Sequence, residues 1–156
     1  MDTKLNRLKE QLKFEEGLRL KKYQCSAGRF TIGYGHNLDA MPTYRGLKIP
    51  DKITADFAEK LLDNDIDITI GTLCERWPRI YEFDRARKEA FFNMAFQLGI
   101  AGFMGFERMR AAALTRDWAL AHKEAMNSKW AKHDSPNRAE RVAGQILTGQ
   151  FYEVPQ

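Results

Sequence analysis

Strands collected near the N-terminus and helices through the remainder predict an α+β fold. Its expected form is a small β-hairpin or sheet lobe at residues 15–53, a larger helical lobe at 76–156, and a long helix at 54–75 joining them. Three observations predict it. Residues 18–34 combine β-forming side chains with turn glycines, residues 54–75 keep helical spacing for six turns, and every later segment reads as helix between Gly or Pro breaks.

The first element is a short amphipathic helix over residues 3–14. Leu5, Leu8 and Leu12 step by three and four, Phe14 follows, and Gly17 stops the run. This helix is expected to pack on the helical lobe. Leu18, Leu20 and Tyr23 then mark a strand, Cys25-Ser26-Ala27-Gly28 a turn, and residues 30–34 the returning strand. Asn37, Pro42, Gly46 and Pro50 make residues 37–53 mostly loop, with a short third strand expected near Leu47–Ile49. Thr54 is suited to cap the long helix, whose apolar positions run from Phe57 to Leu73; Trp77-Pro78 ends it. Further helices are expected near 84–98, 106–114, 117–126 and 137–147, with Trp118 and Trp130 as core anchors of their lobe.

Composition narrows the function. The 156 residues are 44% hydrophobic and 29% charged, enough for one domain with a real core. No apolar run approaches the ~20 residues that cross a bilayer, and residues 1–14 lack a signal core, so synthesis in the cytosol is expected. The net charge of +4 favours polyanionic partners, but the basic residues form no long block, so nucleic acid is not the expected one. Cys25 and Cys74 form no CxxC, and the three histidines lack metal-ligand spacing, so neither a disulfide framework nor a metal site is expected.

Chemistry concentrates in EEGLRLKKYQCSAGRFTIGYGH, residues 15–36. Glu16 falls where the helix gives way to the hairpin, a place where two lobes can leave a cleft. Cleaving a glycosidic bond needs a carboxylic acid to protonate the leaving oxygen and a second group to serve the other face of the sugar. Cys25 at the turn can supply a nucleophile or weak base if its thiol ionises. Thr31 can orient a water. Taken by spacing alone, a glutamate at a helix end is usually a solvated charge, a lone turn cysteine usually inert and a strand threonine usually a β-former, and enzyme against binding module stays undecided.

The pattern Glu-x8-Cys-x5-Thr resembles the catalytic segment of phage-type lysozymes, the T-even endolysins of glycoside hydrolase family 24, in which aspartate or cysteine fills the middle position. NMAFQLG at 93–99, SKWAKHDSPNRAERV at 128–142 and TGQF at 148–151 resemble the same enzymes in the same order. The resemblance implies a lysozyme-like fold, no cofactor, and hydrolysis of the bond between N-acetylmuramic acid and N-acetylglucosamine in peptidoglycan. It implies Glu16 as general acid, with Cys25 and Thr31 activating or positioning water. It places Arg138 near the catalytic glutamate and pairs His36 with Asp65. It puts Asn93, Phe96 and Gln97 along the substrate cleft. A monomer that accumulates in the host cytoplasm and reaches the wall through a holin-type pore is expected. The alternatives are a lytic transglycosylase on a related fold, a non-catalytic wall-binding module, and membrane disruption by a basic amphipathic helix at 117–133.

Overall fold

The computed structural model describes residues 6–155 and divides into two compact units, residues 1–68 and 69–156. The start of the expected first helix, residues 3–5, lies outside the described residues. In the first unit α1 spans Asn6–Glu16, so Glu16 occupies its last turn. Gly17, at φ +69°, follows, and its amide still donates to the Lys13 carbonyl at 3.0 Å.

Strands β1 (Arg19–Gln24) and β2 (Phe30–Gly33) form the expected hairpin. The pairing sets Tyr23 opposite Thr31 and Gln24 opposite Phe30, with a bulge between Arg19 and Tyr23. The short strand expected near Leu47–Ile49 is present, but in a separate hairpin, and two further strands were not expected. β3 is His36–Asn37, antiparallel to β2, whereas β5 (Leu47–Lys48) pairs with β4 (Thr43–Tyr44) in a separate two-stranded hairpin. Gly35, at φ +74°, makes the tight reversal that lets two residues return along β2.

α2 (Ala55–Arg76) begins as expected: the Thr54 hydroxyl accepts from the Phe57 amide at 3.1 Å. Its first half carries a charged face toward α1. Lys9 lies 2.6 Å from Glu59 and 2.8 Å from Asp63, and Lys13 lies 2.5 Å from Glu59.

The second unit holds a 3-10 turn (Pro78–Glu82), α3 (Arg85–Met104), α4 (Glu107–Leu114), α5 (Trp118–Met126), a π-type turn (Trp130–Asp134) and α6 (Pro136–Thr148). Gly99, at φ 77° and ψ 162°, breaks α3 one residue beyond the expected end of its first run. Trp77, Phe83, Phe91 and Phe103 form the aromatic core, with ring centroids 5.3–5.9 Å apart. Trp130 is buried, as expected of an anchor; Trp118 is only half-buried, resting edge-on against Phe83 beneath the Arg87 guanidinium. The 117–133 segment is not one helix. Asn127 leaves helical geometry, and the Ser128 hydroxyl closes α5 by donating to the Ala125 carbonyl at 2.7 Å.

Candidate active site

In the first unit the candidate groups are carried by the last turn of α1, by the β1–β2 hairpin and its turn, and by the return at Gly35. The turn is closed by the Cys25 amide donating to the Arg29 carbonyl and the Gly28 amide to the Cys25 carbonyl, both at 2.8 Å. Gly28 holds φ +83°, which the turn requires. Tyr23 and Thr31, as cross-strand partners, share a face of the sheet. Burial raises the Tyr23 phenol, Arg19 opposes that, and the negative charges of Glu16 and Cys25 add to it. Tyr23 thus lies within electrostatic reach of both the acid and the thiol, a role the sequence reading missed.

Cys25 is a free, half-buried thiol at the turn. Hydrogen bonding from the Arg29 backbone holds its thiol below the usual range. Desolvation opposes this, and the Ala27 backbone, the Thr31 hydroxyl and the Arg29 side chain reinforce it. Thr31 is buried, and its hydroxyl also lies 3.2 Å from the Arg29 carbonyl. One hydroxyl proton cannot serve both acceptors, so it turns toward the carbonyl or toward the sulfur.

Glu16 packs against backbone. A Cβ built on Gly35 would lie 2.9 Å from the Glu16 Cδ and closer still to Oε1. Only glycine at 35 leaves the carboxyl its place, a requirement that the motif TIGYGH does not advertise by itself. Next to Gly35, His36 is buried with both ring nitrogens engaged: Nδ1 is 2.7 Å from Asp65 Oδ2, and Nε2 is 2.8 Å from the Met41 carbonyl. Both partners are acceptors, so the doubly protonated imidazolium satisfies both. Burial pushes the His36 pKa down, but the Asp65 hydrogen bond and charge outweigh it and the net shift is upward. The pairing of His36 with Asp65 is therefore present in the geometry.

In the second unit the remaining candidates form an internal network. Arg138 is buried at 7% exposure and donates through Nε and Nη2 to Asn93 Oδ1 at 3.2 and 2.9 Å. Asn93 Nδ2 donates to the Tyr152 hydroxyl at 3.2 Å. Because arginine only donates, the Asn93 oxygen must face it and the nitrogen must face Tyr152. Asn93 is 0% exposed, so the direct sugar contact expected from its amide does not fit this burial; both amide ends are occupied within the protein. Gln97 is half-buried, accepting from the Trp130 indole at 2.8 Å and donating to the Ser135 hydroxyl at 2.7 Å. Phe96 is half-buried beside it in sequence. Tyr152 was not anticipated. Its amide donates to Gln145 Oε1 at 3.2 Å, and Gln145 Nε2 donates to the Ala86 carbonyl at 2.7 Å, which docks the C-terminal tail on α3 and α6.

The phage lysozyme family model matches residues 13–149. Probable T4-type lysozyme 1 of Dictyostelium discoideum is 32% identical, with 91% of this chain and 94% of that protein aligned. An endolysin of Acyrthosiphon pisum secondary endosymbiont phage 1 is 33% identical over 89% of this chain and 87% of its own. The pre-baseplate central spike protein Gp5 of Enterobacteria phage T4 is 33% identical over 91% of this chain, which spans only 28% of that larger protein. The chain belongs to the phage lysozyme family and is a glycoside hydrolase of the muramidase type, with peptidoglycan as its substrate class.

Proposed function

We propose that this muramidase is an endolysin that hydrolyses the N-acetylmuramic acid to N-acetylglucosamine bond, with Glu16, Cys25 and Thr31 as its catalytic residues. The Glu16 carboxyl gives its proton to the glycosidic oxygen as the bond from the anomeric carbon breaks. Water adds to that carbon from the other face and releases a proton to the Cys25 thiolate, with the Thr31 hydroxyl holding the water. The His36–Asp65 pair fixes the backbone beside Gly35, Arg138 supports its own unit through Asn93, and Phe96 and Gln97 contribute to saccharide binding. The protein works as a monomer, without a cofactor. It accumulates in the host cytoplasm and crosses to the wall through a holin-type pore; among the described residues no helix is long and apolar enough to span a membrane.

The observation that carries this reading is the phage lysozyme family match across residues 13–149, which takes in Glu16, Cys25 and Thr31. Thiolate character is what a cysteine needs to replace a carboxylate, and Thr31 is one of the groups that supply it. Mass spectrometry of digested peptidoglycan tests the reaction. Reducing N-acetylmuramic acid ends are expected, whereas anhydro ends would mean a transglycosylase. Cys25→Asp is expected to keep most activity and Cys25→Ser to lose roughly tenfold or more. Full activity in the serine variant would remove the thiol from the mechanism, and a sugar covalently attached to Cys25 would replace the base by a nucleophile.

A further inference from the structure

The basic character of this protein belongs to one segment. Residues 17–53 hold seven lysines and arginines against two acids, Asp39 and Asp51, while the rest of the chain holds 18 basic and 19 acidic residues. Asp51 lies 3.6 Å from Lys22, and Asp39 accepts the Phe30 amide at 3.0 Å. Among the described residues, Lys21, Lys48 and Lys52 have no carboxylate within ion-pair distance, and all three are exposed.

Two of these cations are set side by side. Lys21 of β1 forms an isolated antiparallel bridge with Lys52. The flanking bonds run from the Lys22 amide to the Asp51 carbonyl at 2.7 Å and from the Ile53 amide to the Leu20 carbonyl at 2.8 Å. Lys21 and Lys52 are therefore a non-hydrogen-bonded pair, the kind whose side chains stand closest on one face. Like charges in that position repel, and a bound anion relieves the repulsion. The strand that carries Lys21 begins three residues after Glu16 and ends one residue before Cys25.

We propose that the face built on Lys21 and Lys52 docks the free carboxylates of the peptides carried by peptidoglycan, holding the polymer in the same unit as Glu16 and Cys25. This rests on the muramidase reading and adds a charge-reading surface outside the bond-cleaving residues. The substrate's peptides present carboxylates at regular intervals along the glycan, which suits cations arrayed along a strand better than a single buried pocket would.

The test is co-sedimentation of the Glu16→Gln protein with purified sacculi over a salt series. Adding Lys21→Glu and Lys52→Glu is expected to weaken binding roughly tenfold at low salt and to flatten its salt dependence. Lys60→Glu with Lys123→Glu makes the same change in net charge at exposed positions elsewhere, and is expected to change binding by less than about twofold. Sacculi whose carboxyls have been amidated with carbodiimide should bind the parent as weakly as native sacculi bind the Lys21/Lys52 variant. Equal losses in the two double variants would reduce the effect to net charge. Undiminished binding to amidated sacculi, or tighter binding to phosphatidylglycerol vesicles than to native sacculi, would give the face another partner and overturn the proposal. Bond cleavage is read separately from released reducing ends, so hydrolysis retained by Glu16→Gln would count against the catalytic assignment and not against the docking face.

Discussion

The two units treat their polar groups in opposite ways. In the first, apart from the buried His36–Asp65 pair, charged side chains lie at or near the surface: Lys9 and Lys13 meet Glu59 and Asp63 between α1 and α2, and the hairpin presents its cations outward. In the second, Arg138, Asn93, Gln145 and Glu89 are buried and tied to one another, to backbone carbonyls or to neighbouring side chains. Exposed pairs contribute little and tolerate change, whereas a buried donor stripped of its acceptor costs its full desolvation. The first unit is therefore free to vary its surface for recognition, and the second is a scaffold whose polar members hold one another in place.

The largest expected effect breaks that scaffold. Arg138→Ala leaves the buried Asn93 carbonyl oxygen without its guanidinium donor and is expected to cost about 3 kcal/mol in denaturant unfolding. Arg108→Ala, on the exposed face of α4, is the proper comparison and should cost under about 0.5 kcal/mol. Arg116, although exposed, would be a poor control. It holds φ 60°, donates to the Leu114 and Glu82 carbonyls and covers the Phe83 ring. If Arg138→Ala were as mild as Arg108→Ala, the contrast between the units would fail.

Next comes the buried ion pair of the first unit. Because the fold raises the His36 pKa, the folded chain binds that proton more tightly than the unfolded chain does. The pair's contribution is whole below about pH 6.5, the ordinary histidine value, and is lost as pH rises through the folded value. Asp65→Asn is expected to cost about 2 kcal/mol at pH 5 and progressively less at alkaline pH. A cost independent of pH, measured by thermal unfolding at several pH values, would show that His36 is neutral in the fold.

The smallest effect sharpens the comparison. Tyr152→Phe removes the hydroxyl that accepts from Asn93 Nδ2 and should cost about 1 kcal/mol. In an Arg138→Ala background it should cost less, because Asn93 is then free to reorient. Strict additivity of the two changes would separate Tyr152 from the arginine network.

Much of this architecture is legible in the sequence because it is local. The α2 register, the Thr54 cap and the break before Gly99 follow from periodicity and from single residues with strong backbone preferences. β3 escapes such a reading because two residues, His36 and Asn37, carry no alternation; their strand character comes from pairing with Thr31 and Ile32. The candidate catalytic pattern is visible only through resemblance, since its spacing also suits an unremarkable helix end and turn. Tyr152 and Gly35 could not be read from spacing at all. The first acts on a partner 59 residues away, and the second works by omitting a side chain where Glu16 needs room.

Glu16 is the proposed proton donor. Glu16→Gln keeps the shape of the side chain and removes its acidity, so the direct measurement is the rate at which purified peptidoglycan releases reducing ends, alongside a thermal melt of the same preparation. The expected result is a loss of roughly a hundredfold or more with an unchanged fold. A variant that hydrolyses within a few-fold of the parent rate would contradict the assignment and move the proton donor elsewhere in the chain.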